Sequence, residues 1–468
     1  MMLVLVTRAL ALDITLNPGD DIVTATSALG PGDVVTLSEG VYTIAGPVDW
    51  TGAGTEEAPI TIKGQGDVTI EITAGWTAAY VHDATWMNIS NIHFQGAATI
   101  TDDHDAFYAE NTDHLSVTDC EMGPAFDDGA AFGGNNTALT FERNHVHDML
   151  DGNGLYIGCY DASCWTQDSS ISENWIHNIG GDYHIGIYLL PGGQNNVIRD
   201  NVIYQVSYGG LAVTSTEYGD PNVVEGNAIW NTVSYGLGVY GASVVRNNVV
   251  FNVQGRGIQT GDNGRNTLDN LVITHNTVYN TTDYGIYIES WAGRTGMVLA
   301  NNAVANTTGL AIAATQGNVD DTNYISNNVA SGWVNGLTLY AGSAQPVIGG
   351  GGETDFEDPV SWNYYPSQTS ALIGVGDPSA NAYVPETDFN GAARNGDAPD
   401  AGAYEWDGDG NPGWLISEGY KDLEALSANP GDTVGGGCCG AGKEDDTDAA
   451  ALLLVPFAIF GLRRRRRG

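Results

Sequence analysis

The sequence predicts an all-β solenoid, a capped parallel β-helix of about ten rungs. Three observations carry this. A four-residue motif, Gly–apolar–any–apolar, returns at Gly154, Gly186, Gly210, Gly236, Gly257, Gly285, Gly309 and Gly336, with steps of 32, 24, 26, 21, 28, 24 and 27 residues. Gly129-Ala130-Ala131-Phe132 is a degenerate earlier copy. A second motif interleaves with the first: Asn144, Asn174, Asn201, Asn227, Asn248, Asn276 and Asn302, each followed two residues later by Val or Ile and four later by Asp148, Asn178, Gln205, Asn231, Asn252, Asn280 or Asn306. Finally, 63 glycines and only 16% charged residues suit short strands and tight turns rather than long helices.

A repeat this short cannot bury its apolar side alone, so equivalent strands must stack in parallel around a continuous core. Asn above Asn then lets each side-chain amide donate to one rung and accept from the next, satisfying polar groups at buried turns. The leucine-rich-repeat spacing is absent, and each repeat is too short for a four-stranded propeller blade.

Met1 to Ala11 reads as a signal-peptide remnant: an apolar run, interrupted by Arg8, ends in Ala-Leu-Ala before Leu12. Asp21 to Ile44 reads as a short capping helix, a Pro-Gly-Asp turn and a first strand, with Ile60-Thr61-Ile62-Lys63 in the next rung. The solenoid with its cap spans 13–345. From this arrangement the chain resembles the right-handed parallel β-helix superfamily of pectate-lyase-like proteins over roughly residues 20 to 345. Residues 346–406 lose the repeat and resemble a closing segment of bacterial surface β-helices that folds back over the last rungs. Residues 407–437 read as an acidic linker, in which Asp407, Asp409, Asn411 and Glu418 fall at EF-hand-like spacing, although Pro412 replaces the glycine that such a loop needs.

Residues 438–468 combine Cys438-Cys439, an acidic spacer, an apolar run from Ala449 to Leu462 and five arginines. The run is shorter than an ordinary membrane span. The arrangement is similar to the Cys-containing C-terminal sorting tails of myxobacterial surface proteins. That resemblance implies handling by export and sorting machinery, processing at Cys438 and Cys439, membrane contact through the tail, and a location at the outer surface of a Gram-negative cell or release from it. In such a compartment Cys159 and Cys164 are close enough in sequence to form a small-loop disulfide.

The formal net charge is −41, from 57 acids against 16 cations, five of them Arg463 to Arg467. Such a field argues against nucleic acid as a partner. An anionic polysaccharide would need divalent cations between the two surfaces; calcium is the cofactor suggested by the EF-hand-like spacing of Asp407, Asp409, Asn411 and Glu418, and the resemblance to lyases that neutralise the sugar acid with calcium implies it too.

Alternation along each Gly–apolar–any–apolar strand sends Tyr156, Tyr188, Ala212, Gly238, Gln259, Tyr287 and Ala311 outward. The next outward column includes Tyr240, Gly261 and Glu289. A shallow Tyr-lined face suits stacking against sugar rings, with Tyr156, Tyr188, Tyr240, Gln259, Tyr287 and Trp291 as the substrate-binding candidates. The Asn motif has its own outward column, His147, His177, Tyr204, Trp230, Phe251 and Tyr279, which should be covered by a loop. His147 and His177 on neighbouring rungs also suit a metal, without a spacing signature.

Lyases of the family use a Lys or Arg base. Here Lys63 is the only Lys between residues 1 and 420, and the face offers Arg256, Arg265 and Arg294 instead. For a hydrolase, Asp262 and Glu289 on adjacent rungs are the candidate carboxylate pair, with Arg265 or Arg294 orienting substrate. Two functions follow from this reading: a surface protein that binds or degrades polysaccharide along its strand face, or a non-catalytic adhesin.

Overall fold

The computed structural model describes residues 11–97, 104–215, 219–262, 268–315, 317–337, 346–380 and 383–421. The chain divides into a unit of Met1–Ser427 and a unit of Ala428–Gly468. The second unit, with Cys438 and Cys439, lies outside the described residues, as does nearly all of the signal-like segment. No described helix is long and apolar enough to cross a membrane.

The first unit is an all-β parallel solenoid of about eleven turns with almost no helix. One turn shows the plan. Tyr235–Val239 lies on the first face (sheet A), Ser243–Arg246 on the second (sheet B) and Val249–Val253 on the third (sheet C). Arg256–Thr260 then returns to sheet A and pairs in parallel with Tyr235–Val239. Inward positions are apolar on all three faces: Leu237, Val239, Val245, Val250 and Val253 are essentially inaccessible. They belong to one core cluster that runs from Ile22 to Leu337. At about 25 cal/mol per Å² of apolar area, stacking these turns is the main stabilising term.

Sheet A needs glycine where it begins. A Cβ on Gly186, Gly210 or Gly236 would lie 2.5, 2.6 or 2.9 Å from the carbonyl oxygen of the equivalent residue one rung on. The motif therefore marks a backbone contact between rungs. It also fixes the register, and here the last two sequence assignments shift. Ile286 pairs with Ile312 and Tyr287 with Ala313, so Ala311 takes the glycine position and Ala313, not Ala311, faces outward. Gly309 and Gly336 fall out of step with the column.

The two Asn columns do different work. Asn174, Asn201, Asn227, Asn248 and Asn276 are buried one above another. The backbone N–H of Asn201 donates to Asn227 Oδ1 at 3.0 Å, and its Nδ2 donates to the same oxygen at 2.9 Å and to the carbonyl of Ile171 at 2.9 Å. The pattern repeats through Asn302 to Asn328. The column four residues on is different. Asp148, Asn178, Gln205, Asn231, Asn252, Asn280 and Asn306 all have φ between 52° and 59°. They supply the left-handed corner between sheets C and A, which Asn and Asp tolerate better than most side chains.

At the N-terminal end, Asp13–Leu16 pairs with Val34 to Leu37. The short helix Ile22–Ala25 is capped by Asp21, whose carboxylate accepts from the Thr24 N–H at 3.1 Å. The closing segment lies along sheet C. Phe356, Tyr364, Tyr365, Phe389 and Tyr404 form one buried cluster with Tyr204, Trp230, Phe251 and Tyr279. Trp230 and Phe251, outward-facing in sequence terms, have no accessible surface. Arg394 pins the cover: it is buried, donates to Asn247 Oδ1 and to the carbonyl of Gly402, both at 2.9 Å, and pairs with Glu405.

The expected acidic linker is corrected in its first part. Trp414, Ile416 and Lys421 are buried, and Lys421 Nζ donates to Asp200 Oδ1 at 2.7 Å. A few apolar side chains and one paired cation are enough to hold 407–421 on the solenoid. The EF-hand-like set is also taken apart by local partners. Asp407 Oδ1 accepts from the Tyr365 hydroxyl and the Asp409 N–H. Asn411 Oδ1 accepts from Asn390 Nδ2 and the Gly413 N–H. Among the described residues, no group of three metal-ligating side chains includes Asp407, Asp409 or Glu418.

Candidate functional site

Sheet A presents its outward column in register over most of the solenoid. Asp49, Tyr80, Tyr108 and Ala131 are successive partners. The column continues through Tyr156, Tyr188, Ala212, Gly238, Gln259, Tyr287 and Ala313. The tyrosines and Gln259 are half-buried by their neighbours, so each shows part of a ring or amide to solvent.

Three patches follow along it. In the first, exposed Trp76 meets Tyr80 and Tyr108 edge-on at 5.0 and 5.1 Å. His82 stacks on Tyr80, and its Nε2 lies 2.8 Å from Asp49 Oδ1. In the second, Tyr156 and Tyr188 meet edge-to-face at 6.0 Å. The loop after Leu155–Ile157 carries exposed Tyr160 and Trp165 and is closed by a disulfide between Cys159 and Cys164, with Cα atoms 5.5 Å apart. Tyr188 also packs with Tyr208 and Tyr240 around buried Tyr235.

The third patch is charged. Gln259 Nε2 donates to the Tyr240 hydroxyl. Arg256 donates to Gln259 Oε1 at 3.1 Å, lies 3.4 Å from Asp283 and sits over the Tyr287 ring at 4.2 Å. Burial, only partly offset by that Gln259 hydrogen bond, pushes Tyr240 up to about 12. Its hydroxyl is therefore a neutral hydrogen-bonding group, not a base, at physiological pH.

Asp262 and Glu289 follow the Gln259 and Tyr287 strands, with Arg294 further on, while Arg265 lies outside the described residues. Asp262 is ion-paired with Arg294 at 3.6 Å. Glu289 lies across from Gly261, whose Cβ direction points to Glu289 Oε2 at 3.5 Å. Extending the Gln259–Tyr287 register places Asp262 opposite Ser290, so the two acids are one position out of step. Trp291 does not belong to the site. Ser290 turns the chain through φ 68°, and the indole enters the core, with no accessible surface and its Nε1 donating to Thr260 Oγ1 at 3.0 Å. It cannot stack against a sugar.

Sequence reasoning missed three acids at the start of the sheet A strands. Asp105, Asp127 and Asp128 bring their oxygens within 4.8 Å of one another. Asp105 Oδ1 accepts from the Asp128 N–H at 3.1 Å, and Asp128 Oδ1 accepts from the Asn153 N–H and Nδ2 at 2.7 and 2.9 Å. Burial, and then the charge on Asp127, pushes Asp128 up to about 7. The available signal was Asp128 and Asn153, each immediately before a motif glycine. Oxygen donors of this kind suit a hard cation such as calcium.

The model of the right-handed β-helix region matches residues 57–270 and 190–298. The chain belongs to that family. Its backbone is similar to pectate lyase Pel9A (TM-score 0.48, 18% identity, 85% of this chain and 97% of that one). It is also similar to alginate lyase AlyF-OU02 in complex with G6 (TM-score 0.47, 16% identity, 72% and 89%). A third is the A-module of mannuronan C-5 epimerase AlgE4 from Azotobacter vinelandii (TM-score 0.38, 13% identity, 68% and 89%). None of the curated proteins matches the chain.

Proposed function

We propose that this right-handed β-helix protein binds polysaccharide along the outer face of sheet A, as an exported protein held at the cell surface by its C-terminal tail. The observation that carries the reading is the registered column of half-buried tyrosines, with Gln259 and Arg256 set into it. The paired rings Tyr80–Tyr108 and Tyr156–Tyr188 on neighbouring rungs, about 4.8 Å apart, and Tyr287 farther along offer spaced stacking platforms to an extended sugar chain. The guanidinium over Tyr287 is a donor fork for a sugar hydroxyl or carboxylate. The Cys159–Cys164 disulfide is in keeping with an oxidising compartment. Asp105, Asp127 and Asp128, at the start of the sheet A strands, are the calcium-type donors nearest the column, which matters if the glycan is anionic.

Binding is favoured over hydrolysis by Asp262, which is held by Arg294 and stands out of step with Glu289. The test is a panel of neutral and acidic polysaccharides, with and without calcium, read for both affinity and chain shortening. Tyr188→Ala and Tyr287→Ala should each weaken binding about five- to tenfold, in line with an aromatic contact of ~1 kcal/mol. Failure of the unmodified protein to bind any member, or unchanged affinity in both variants, would refute the reading. Chain shortening that Glu289→Gln abolishes would move the protein from binder to hydrolase.

A further inference from the structure

Sheet C carries a second cluster nearer its N-terminal end, where Tyr420 packs edge-on against Trp175 at 5.9 Å, away from the tyrosine column. His93, Glu121, His145 and Trp175 are successive register partners there, with His147 and His177 paired beside them. Glu121 Oε1 lies 3.0 Å from His147 Nε2 and 3.5 Å from His93 Nε2. One oxygen of Glu121 and one nitrogen each of His145 and His147 all fall within 4.8 Å of one another. His145 Nε2 and His177 Nε2 face each other at 2.9 Å.

From this geometry we infer that Glu121, His145 and His147 form a three-ligand binding site for a transition-metal ion of the zinc type. The donor set decides the class of metal. Imidazole nitrogens with a single carboxylate select zinc, cobalt, nickel or copper over calcium or magnesium, which take oxygen. Zinc–nitrogen bonds of ~2.0–2.1 Å at a tetrahedral angle place two nitrogens about 3.3 Å apart. Glu121 Oε1 and His147 Nε2, 3.0 Å apart, already stand close to that separation. Supporting groups are already in place. Asp148 Oδ2 lies 2.8 Å from His147 Nδ1, the carboxylate–histidine contact that fixes which ring nitrogen faces a metal. Trp175 stacks on the His145 ring at 3.9 Å with an interplanar angle of 5°, which fixes the plane of that imidazole.

The site also opens onto space. His93, Glu121, His145, Trp175 and Tyr420 line a pocket of about 250 Å³. An ion held by the triad would have one side toward that pocket, with room for water or a small ligand. The stripe beyond it, from Tyr204 onward, is sealed by the closing segment, whereas His145, His147 and His177 stay partly accessible.

The test uses the full-length protein, stripped of metal and titrated with Zn²⁺ and Co²⁺. One equivalent should bind, cobalt should develop visible absorption, and zinc-edge X-ray absorption should show imidazole nitrogen in the coordination shell. His145→Gln and His147→Gln should abolish that equivalent, with circular dichroism checking that the solenoid remains folded. Asp148→Asn, which removes the carboxylate beside His147 Nδ1 and leaves the three ligands in place, should weaken affinity about tenfold or more. Tyr188→Ala should leave it unchanged. No binding by the unmodified protein would overturn the inference. So would an equivalent that survives in Asp148→Asn and in both histidine variants, or one with oxygen-only coordination, which would place the ion at other carboxylates.

Discussion

Asn227 and Asn231 are four residues apart, have the same side chain and hold their rung in different ways. Asn227 is buried, accepts from the Asn201 N–H and Nδ2, and donates to the Ile198 carbonyl and to Asn248. Asn231 sits at φ 53° at an exposed corner. Removing a partner from a buried hydrogen-bond ladder costs about 1–3 kcal/mol for each group left unsatisfied. Asn227→Ala should therefore lower stability by about 3 kcal/mol or more. Asn231→Gly should be nearly neutral, and Asn231→Val should cost about 1–2 kcal/mol through the left-handed backbone. Urea unfolding of the three variants measures this contrast; equal losses at the two positions would contradict it. The sequence showed both columns, because a polar residue at fixed spacing stands out among apolar neighbours. It did not separate their roles, because Asn serves both a ladder and a left-handed corner. Trp291 illustrates the opposite limit. Period-two alternation holds along a strand, and the positive-φ Ser290 that ends it leaves no mark in the residue types.

At the scale of elements, the closing segment repays attention to its buried charges. Asp400 is buried, and its two oxygens accept from the N–H groups of Gly374 and Trp406, both at 2.6 Å. Burial outweighs these bonds and the neighbouring Arg394, and with the charge on Glu405 it lifts Asp400 to about 6. An acid with a raised folded pKa binds its proton more tightly when folded. Its contribution is full below the unfolded value, about 3.9, and is lost as pH rises through about 6. The cover, with Asp388, Arg394 and Glu405 around this group, should lose up to roughly 3 kcal/mol between those limits. Asp400→Asn should flatten that slope. Urea midpoints at pH 4 and pH 6.5 for both proteins check it, and identical slopes would remove Asp400 from the account. The need for a cover was legible in the aromatic stripe, because exposed apolar strips of that length are unusual. The extent of the cover was not: the acids of 407–421 read as solvated, whereas Trp414, Ile416 and Lys421 are buried and Asp407 and Asn411 bond to Tyr365 and Asn390.

Across the solenoid, the repeat dictates a face in register from rung to rung, and that face dictates what can bind. Parallel stacking keeps each outward column in register from Tyr80 to Tyr287, so any ligand that uses several rungs must be extended and periodic. The solenoid and its register were legible because every rung restates them. The candidate sites were less so, since Asp105, Asp127 and Asp128, or Glu121, His145 and His147, meet only when separate turns are stacked. The measurement that tests the central claim most directly is affinity against oligosaccharide length, using fragments of whichever polysaccharide the panel selects. Binding along the column predicts affinity that climbs with each added sugar until the fragment spans the second and third patches, then levels off. Tyr188→Ala and Tyr287→Ala should each shorten the climb. Affinity independent of length beyond one or two sugars, or a climb that neither variant alters, would contradict polysaccharide binding along sheet A.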